Sequence, residues 1–233
     1  MTRISDLMRR AAAALGCAAT LVSAASAATV TRIENGRPGT ATFLLEGSIV
    51  AGDFQRMTKA LEKLPIGTNV SVILESPGGL VSEGLQLGTL FHRAKITTVV
   101  KGDGAICYSA CALAFLGGRD FRTGLPGRIK MSGGKLGFHQ FRRTYDPLKV
   151  YTKADYEAEV ARPQVTTGLI VTYLKQIGED LSKLQLMLRA PSESMNVISN
   201  EECLKRGFQV LDEATGRLMD AGKPIPQRLS SIH

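Results

Sequence analysis

The chain contains no tryptophan, three histidines and four cysteines in 233 residues, and each scarcity narrows what it can be. Beyond Val22 no stretch approaches the roughly 18 consecutive apolar residues of a membrane-crossing helix. The basic residues are dispersed, with Arg142-Arg143 the tightest pair. No basic run is interleaved with stacking aromatics, which excludes the usual nucleic-acid surface. Cys107, Cys111 and Cys203 have no histidine at zinc-ligand spacing, so no metal and no cofactor are expected. Of the histidines, His92 sits in a helical pattern near Lys95 and His233 is terminal, which leaves His139 as the one candidate base. No Gly/Ser linker and no internal repeat divides the chain, so residues 28–233 are expected to form one domain, large enough to bury a sizeable core.

The first 27 residues read as a secretory signal peptide. Arg3, Arg9 and Arg10 form a basic start, Ala11 to Val22 is an apolar stretch too short to span a bilayer, and Ala25-Ser26-Ala27 is a small-x-small cleavage site. Cleavage is predicted after Ala27, delivering the protein to the periplasm or the exterior. Cys17 as a lipobox cysteine is the weaker alternative, because Ala14 stands where leucine is usual and the apolar run continues past Cys17. Removing Arg3, Arg9, Arg10 and Asp6 lowers the formal charge of +8 by two, leaving a moderately basic, solvated surface.

Chemistry concentrates in three short pieces. An acyl-transfer serine needs a base for its proton and main-chain N–H groups aimed at the oxyanion. The apolar β-formers Val70 to Leu74 run into Ser76-Pro77-Gly78-Gly79, so the glycines fall at a strand-to-helix turn with free N–H groups. Gly79 is the candidate donor, with Gly78 as a supporting turn residue. Lys95 to Val100 reads as another strand; Gly102 and Gly104 then let the chain turn before Ser109. The run Ala110 to Leu116 is too apolar for a surface helix, so it should be buried with Ser109 at its N-terminal mouth and the Ala110 N–H free as a second donor. A strand around Leu136 to Phe138 delivers His139.

Taken singly, each piece has a plainer use. Ser109 alone would be a helix N-cap, His139 a satisfied core histidine, and Gly78-Gly79 a tight turn. Lys101 and Lys135 suggest a Ser-Lys alternative, although nothing in their spacing positions either lysine. Cys107 and Cys111 bracket Ser109 four residues apart, so a disulfide could staple that turn; alternatively all three cysteines beyond the leader are small buried apolar residues.

The surrounding pattern is α/β. Thr40 to Leu45 reads as a strand, Asp53 as the N-cap of a helix with Phe54, Met57, Leu61 and Leu64 on one face, and Leu80, Gly84, Leu87, Phe91 and Ala94 as the stripe of the next helix. Such alternation predicts parallel strands. From Thr152 the pattern is helical, with Ile170, Tyr173, Leu174 and Ile177 on one face and Gly178 as a stop. Ser199 and Glu202 have capping-box spacing, with Gly207 closing that short helix. The tail from about Asp212, with Pro224 and Pro226, reads as loosely ordered.

The order of S-P-G-G, Ser109 and Gly137-Phe138-His139-Gln140 resembles the Clp-type serine peptidases of the crotonase-like superfamily, over roughly Leu45 to Leu211. Ile198 to Cys203 with Gly207-Phe208 is similar to a further segment of that family. Cys107 to Gly118 followed by G-F-H resembles a periplasmic Clp-like branch. The resemblance implies stacked β-β-α units with a C-terminal helical arm that mediates homo-oligomer contacts. It also implies Ser109 as nucleophile and His139 as base. Two departures stand out. Met195 occupies the position of the family's triad aspartate, with Glu193 and Asn196 near enough to substitute as a third member, and Arg128 to Gly134 carries extra Gly and Lys ahead of the histidine strand.

The expected function is therefore an exported serine hydrolase, a peptidase acting on short or unfolded peptides. An exported chain has no ATP supply, so no ATP-driven unfoldase partner is expected. A binding or assembly protein that keeps this fold without efficient turnover is the first alternative. A crotonase-type acyl-CoA enzyme is the second; export away from the CoA pool argues against it.

Overall fold

A computed structural model describes residues 27–141, 152–220 and 223–224, without the side chains of 154–162, 223 and 224. The predicted leader, apart from Ala27, and the Arg142-Arg143 pair lie outside the described residues. In chain order the elements begin with β1 (Thr29–Ile33), β2 (Thr40–Glu46), α1 (Asp53–Leu61), β3 (Asn69–Glu75), α2 (Val81–Arg93) and β4 (Thr97–Val100). They continue with β5 (Ile106–Tyr108), α3 (Ala110–Leu116), β6 (Arg128–Met131), β7 (Lys135–Phe138) and α4 (Lys153–Gln176). The last are α5 (Ser182–Leu188), β8 (Asn196–Ile198), α6 (Asn200–Lys205), β9 (Gln209–Asp212), β10 (Arg217–Asp220) and β11 (Lys223–Pro224).

The architecture is mixed α/β. Period-two alternation buries Ala41, Phe43 and Leu45 of β2 and Val70, Val72 and Leu74 of β3 on the core side, as strand geometry requires. These strands pair in parallel with Leu45 opposite Leu74. Strands β4, β6 and β9 extend the parallel run. Antiparallel β1 closes one edge, and β10 with β11 closes the other. A second sheet has the order β5-β7-β8, with β5 and β7 parallel and β7 and β8 antiparallel. The link between the sheets is Ser76, directly after β3, whose N–H donates to Ile106 O at 2.7 Å and whose carbonyl accepts from Tyr108 N at 3.0 Å.

Every residue of α3 is buried. A helix without a polar face must be enclosed, and α2 and α4 supply the enclosure. Gly84 of α2 lies so close to α3 that a Cβ there would sit 2.4 Å from Ala110 O. The buried Tyr173 of α4 donates its hydroxyl to Leu113 O at 2.7 Å. Burial drives the Tyr173 pKa far upward, so the phenol stays a neutral donor.

Helix α4 ends as its glycine predicts: Gly178 N bonds to Lys175 O and Glu179 N to Leu174 O, the paired closing bonds of a Schellman turn. That turn places the Glu179 carboxylate 2.7 Å from Arg128 Nη2 and 3.7 Å from Lys183 Nζ. Both cations lie over the buried Phe208 ring, at 5.4 and 5.3 Å from its centroid. Strand β6, the α4–α5 connection and the entry to β9 are thereby joined through one buried charge cluster.

Four readings of the sequence change. The N-cap of α1 is Gly52, and Asp53, fully buried, accepts from Val50 N and Arg56 instead. The Gly52 and Phe54 amides are satisfied by Glu83, reaching across from α2. Sequence spacing has no means of showing such a cap. Ser199 does cap α6 by accepting from Glu202 N, but the Glu202 carboxylate turns to Arg206 and Arg189 and leaves the capping box half-formed. The stretch Arg128 to Gly134, read as extra Gly and Lys ahead of the histidine strand, supplies β6 and the turn into β7. Finally, the tail read as loose from Asp212 continues the main sheet through β10 and β11 as far as Pro224.

Replacing Glu179 by alanine strands Arg128 and Lys183 in the interior without a counter-charge. Removing one partner of a buried ion pair typically costs about 3–5 kcal/mol. Urea denaturation of Glu179→Ala should show a loss of that order, whereas a loss below about 1 kcal/mol would mean that the cluster is wetter than its geometry implies.

Candidate functional site

Strand β3 leaves the main sheet at Ser76, a fully buried residue whose Oγ accepts from Gly78 N at 3.0 Å. The following two peptides are held against Ile49: Gly78 O accepts from Ile49 N at 2.8 Å, and Leu80 N donates to Ile49 O at 2.9 Å. In a parallel bridge of this kind the flanking residues make the bonds, so the Gly79 N–H projects from the opposite edge. No hydrogen bond among the described residues uses it. Only glycine fits here. A Cβ at Gly79 would lie 2.0 Å from Ile49 O, and one at Gly78 would lie 2.8 Å from the Ser109 Cβ and 3.1 Å from the Ala110 N. The S-P-G-G turn therefore packs directly on the serine.

Ser109, with Lys95 and Asp103, is one of three non-glycine residues of positive φ among the described residues. It joins β5 to α3 with φ 55° and ψ −118°, outside the regions open to ordinary L-residues, at a cost of about 1–3 kcal/mol. Its N–H donates to Gly137 O at 3.1 Å and its carbonyl accepts from Leu113 N at 3.1 Å. Although Ser109 occupies the N-cap position of α3, its hydroxyl makes no capping bond. The Oγ is left without a partner among the described residues. A sharp strand-to-helix turn of this type holds a hydroxyl clear of its own helix. The Ala110 N–H, first in the helix, is likewise unengaged.

Cys107 and Cys111 are joined by a disulfide, with their Cα atoms 5.2 Å apart. Both are fully buried. The bond links the middle residue of β5 to the first turn of α3 around Ser109. Cys203 is a separate buried thiol, pushed up to about 12 by burial, and so is not a nucleophile.

His139 follows β7, whose register against β5 pairs Tyr108 with Gly137. Ser109 and His139 thus leave the same ends of adjacent parallel strands, which lie about 4.8 Å apart. Their Oγ and Nε2 make no hydrogen bond to each other. Three bonds hold the histidine segment to the α5–β8 connection: Gln140 N to Ala190 O at 2.9 Å, Gln140 Nε2 to Leu188 O at 3.1 Å, and His139 Nδ1 to Ser192 O at 3.2 Å. A carbonyl only accepts, so Nδ1 carries the proton and Nε2 presents its lone pair.

The orienting partner of the imidazole is therefore a main-chain carbonyl. Asn196 donates its side-chain amide to Leu186 O, and Glu193 accepts from the Ser192 hydroxyl. Asn196 makes no hydrogen bond to His139 among the described residues. Met195 lies over β7, its Cγ and Sδ 2.6 and 2.9 Å from where a Gly137 Cβ would stand, with Tyr108 Cδ1 at 2.7 Å from the same point. An apolar wall thus stands where the resemblance puts an acid. Lys101 is paired with Glu75 at 2.5 Å, which raises its pKa and keeps it protonated. Lys135 sits opposite Ile106, at the far end of β7 from His139. Neither lysine has the placement of a base for Ser109.

A mainly apolar groove of about 450 Å³ lies between α1, α2 and α4, lined in part by Phe54, Leu85, Leu90 and Leu169. It opens on the face of α2 opposite Gly84 and Gly88, the residues that meet α3. The groove and the Ser109 turn are accordingly separate features. Among the described residues no group of three or more His, Cys, Asp or Glu side chains is arranged to hold a metal, and no helix is long and apolar enough to cross a membrane. The chain matches no family model and no curated protein in sequence.

The Ser192 carbonyl makes a spectroscopic demand on His139. In neutral protein, ¹⁵N NMR should show a protonated Nδ1 and an unprotonated Nε2. The reverse tautomer would mean that the Ser192 contact is absent in solution.

Proposed function

We propose that this protein is an exported serine hydrolase of Clp-like, crotonase-superfamily architecture that cleaves amide bonds in short or unfolded peptides. The observation that carries the reading is the backbone of Ser109: a strained, unengaged hydroxyl at a strand-to-helix turn, packed on Gly78 and one strand from His139. Strain of this kind at a residue with no capping bond has no evident structural benefit, and such strain clusters at functional sites. The Cys107–Cys111 disulfide supports an oxidising destination, in agreement with the leader read from the sequence.

In the proposed mechanism Ser109 Oγ attacks the scissile carbonyl as its proton passes to His139 Nε2. The negative oxygen of the tetrahedral intermediate is held by the Gly79 and Ala110 N–H groups, both free of competing bonds. The imidazolium then returns the proton to the leaving amine as the C–N bond breaks. Water, deprotonated by the same Nε2, releases the acyl group from Ser109. Ser192 O keeps Nδ1–H in place through each step. Being neutral, it stabilises the imidazolium less than a carboxylate does. In serine proteases, loss of the acidic member costs about 10⁴ in kcat, so turnover here should be slow.

That same neutral partner, with Oγ and Nε2 unjoined, favours one competing reading: a Clp-like binding or assembly protein with vestigial chemistry. Self-association suits either reading. The resemblance assigns the long helix to subunit contacts, and Val165 and Leu169 of α4 are 60% and 54% exposed.

A fluorophosphonate probe separates the two. Mature protein should be labelled at Ser109, with labelling abolished in Ser109→Ala and reduced about 10²-fold or more in His139→Ala, the scale of general-base assistance. Folded protein that resists the probe over hours at millimolar concentration would establish the binding reading instead.

A further inference from the structure

The Cys107–Cys111 bond has no role in the chemistry above, yet of all the pairings open to this chain it encloses the proposed nucleophile. We propose that this disulfide is a positioning element for Ser109, clamping the turn so that the left-handed backbone persists and the hydroxyl stays presented; the inference rests on the hydrolase reading for its functional consequence.

Tyr108, Ser109 and Ala110 are the only residues between the bridged pair, and a ring that small admits few backbone conformations. At Ser109, φ 55° is disfavoured for any residue with a Cβ. The main-chain bonds from Ser109 N to Gly137 O and from Leu113 N to Ser109 O fix the ends of the turn. Each of the two peptides flanking the Ser109 Cα is thus held by a single hydrogen bond. The covalent link adds a constraint on the same five residues that persists when either of those bonds opens. Both cysteines are wholly buried and all of α3 is packed, so the ring cannot relieve strain by moving outward. Gly78, with no side chain, lets the clamped turn lie against the oxyanion turn. On this account the site is competent only in the oxidised protein.

Three measurements test the clamp. In the first, Cys107→Ser, Cys111→Ser and the double variant should each lose roughly 10- to 100-fold in the saturating rate of fluorophosphonate labelling, with the half-saturating probe concentration little changed, as release of a strained turn implies. The double variant should be no worse than either single one, since all three remove the same bond; losses that multiply would assign the effect to packing of two side chains and overturn the clamp.

In the second, the stability lost on removing the bridge is compared in the wild-type and Ser109→Gly backgrounds. Cutting the bridge in the wild type releases the strain at Ser109 and offsets part of the loss, whereas glycine adopts φ 55° without strain, so the loss should be larger in the Ser109→Gly background; because that turn is unstrained, a double cysteine variant that fails to fold should regain folding there. Equal losses would overturn the proposal. This comparison needs no activity. If the wild-type protein is not labelled but the loss is larger in the Ser109→Gly background, the clamp stands and the hydrolase reading falls. If wild-type and bridgeless proteins are labelled at equal rates, the hydrolase reading stands and the clamp falls.

The third is amide hydrogen exchange. Bridgeless protein should show at least roughly tenfold faster exchange at Ser109 and Leu113, whose hydrogen bonds define the ends of the turn. Unchanged exchange there would count against the clamp.

Discussion

Two main-chain hydrogen bonds at Ser76 govern the geometry of this molecule. By bonding to both sides of Cys107, at Ile106 O and Tyr108 N, the end of β3 ties the large parallel sheet to the small one. Without that junction the glycine turn would belong to one sheet and Ser109 to the other. With it, Gly78 touches the serine, and the parallel pairing of β5 with β7 brings His139 to the neighbouring strand end. The buried helix α3 completes the arrangement. Its Ala110 amide lies beside the glycine turn because β5 ends one residue before the helix begins, and that residue is Ser109.

The electrostatics of the site are unusually quiet. His139 is oriented by a carbonyl, and the apolar Met195 packs against Gly137 on the strand that delivers it. A site of this kind presents a base with the correct tautomer and little charge stabilisation for the protonated form. On the proposed hydrolase reading, such a base implies slow acyl transfer. A buried charge cluster lies elsewhere, around Glu179 and Phe208, where it joins β6 to the entry of β9.

What the residues revealed in advance was local. The strand before Ser76, the glycine turn, the apolar helix after Ser109 and the stop at Gly178 each depend on a few adjacent side chains, and each is found where the pattern puts it. The small sheet was only partly legible. Its strands are three or four residues long, too short for periodicity to show, and β5 was hidden among glycines. The Glu83 cap and the Ser192 carbonyl were invisible for a different reason: one is a contact between helices distant in sequence, the other a main-chain group that every residue possesses. The spacing of Cys107 and Cys111 permitted a bridge without requiring it, because bridge formation depends on Cα separation. The tail misled because prolines suggest irregularity, while Pro224 sits in an edge strand, where a missing N–H is tolerated.

The account stands or falls on whether Ser109, His139 and the two amides act on one substrate atom. The most direct measurement is a crystal structure of the mature protein after reaction with a fluorophosphonate. The account predicts a phosphonyl group on Ser109 Oγ, with its oxygen within hydrogen-bonding distance of Gly79 N and Ala110 N and with the His139 imidazole turned towards Oγ. A phosphonyl oxygen directed away from both amides, or an imidazole turned away from Oγ, would contradict it.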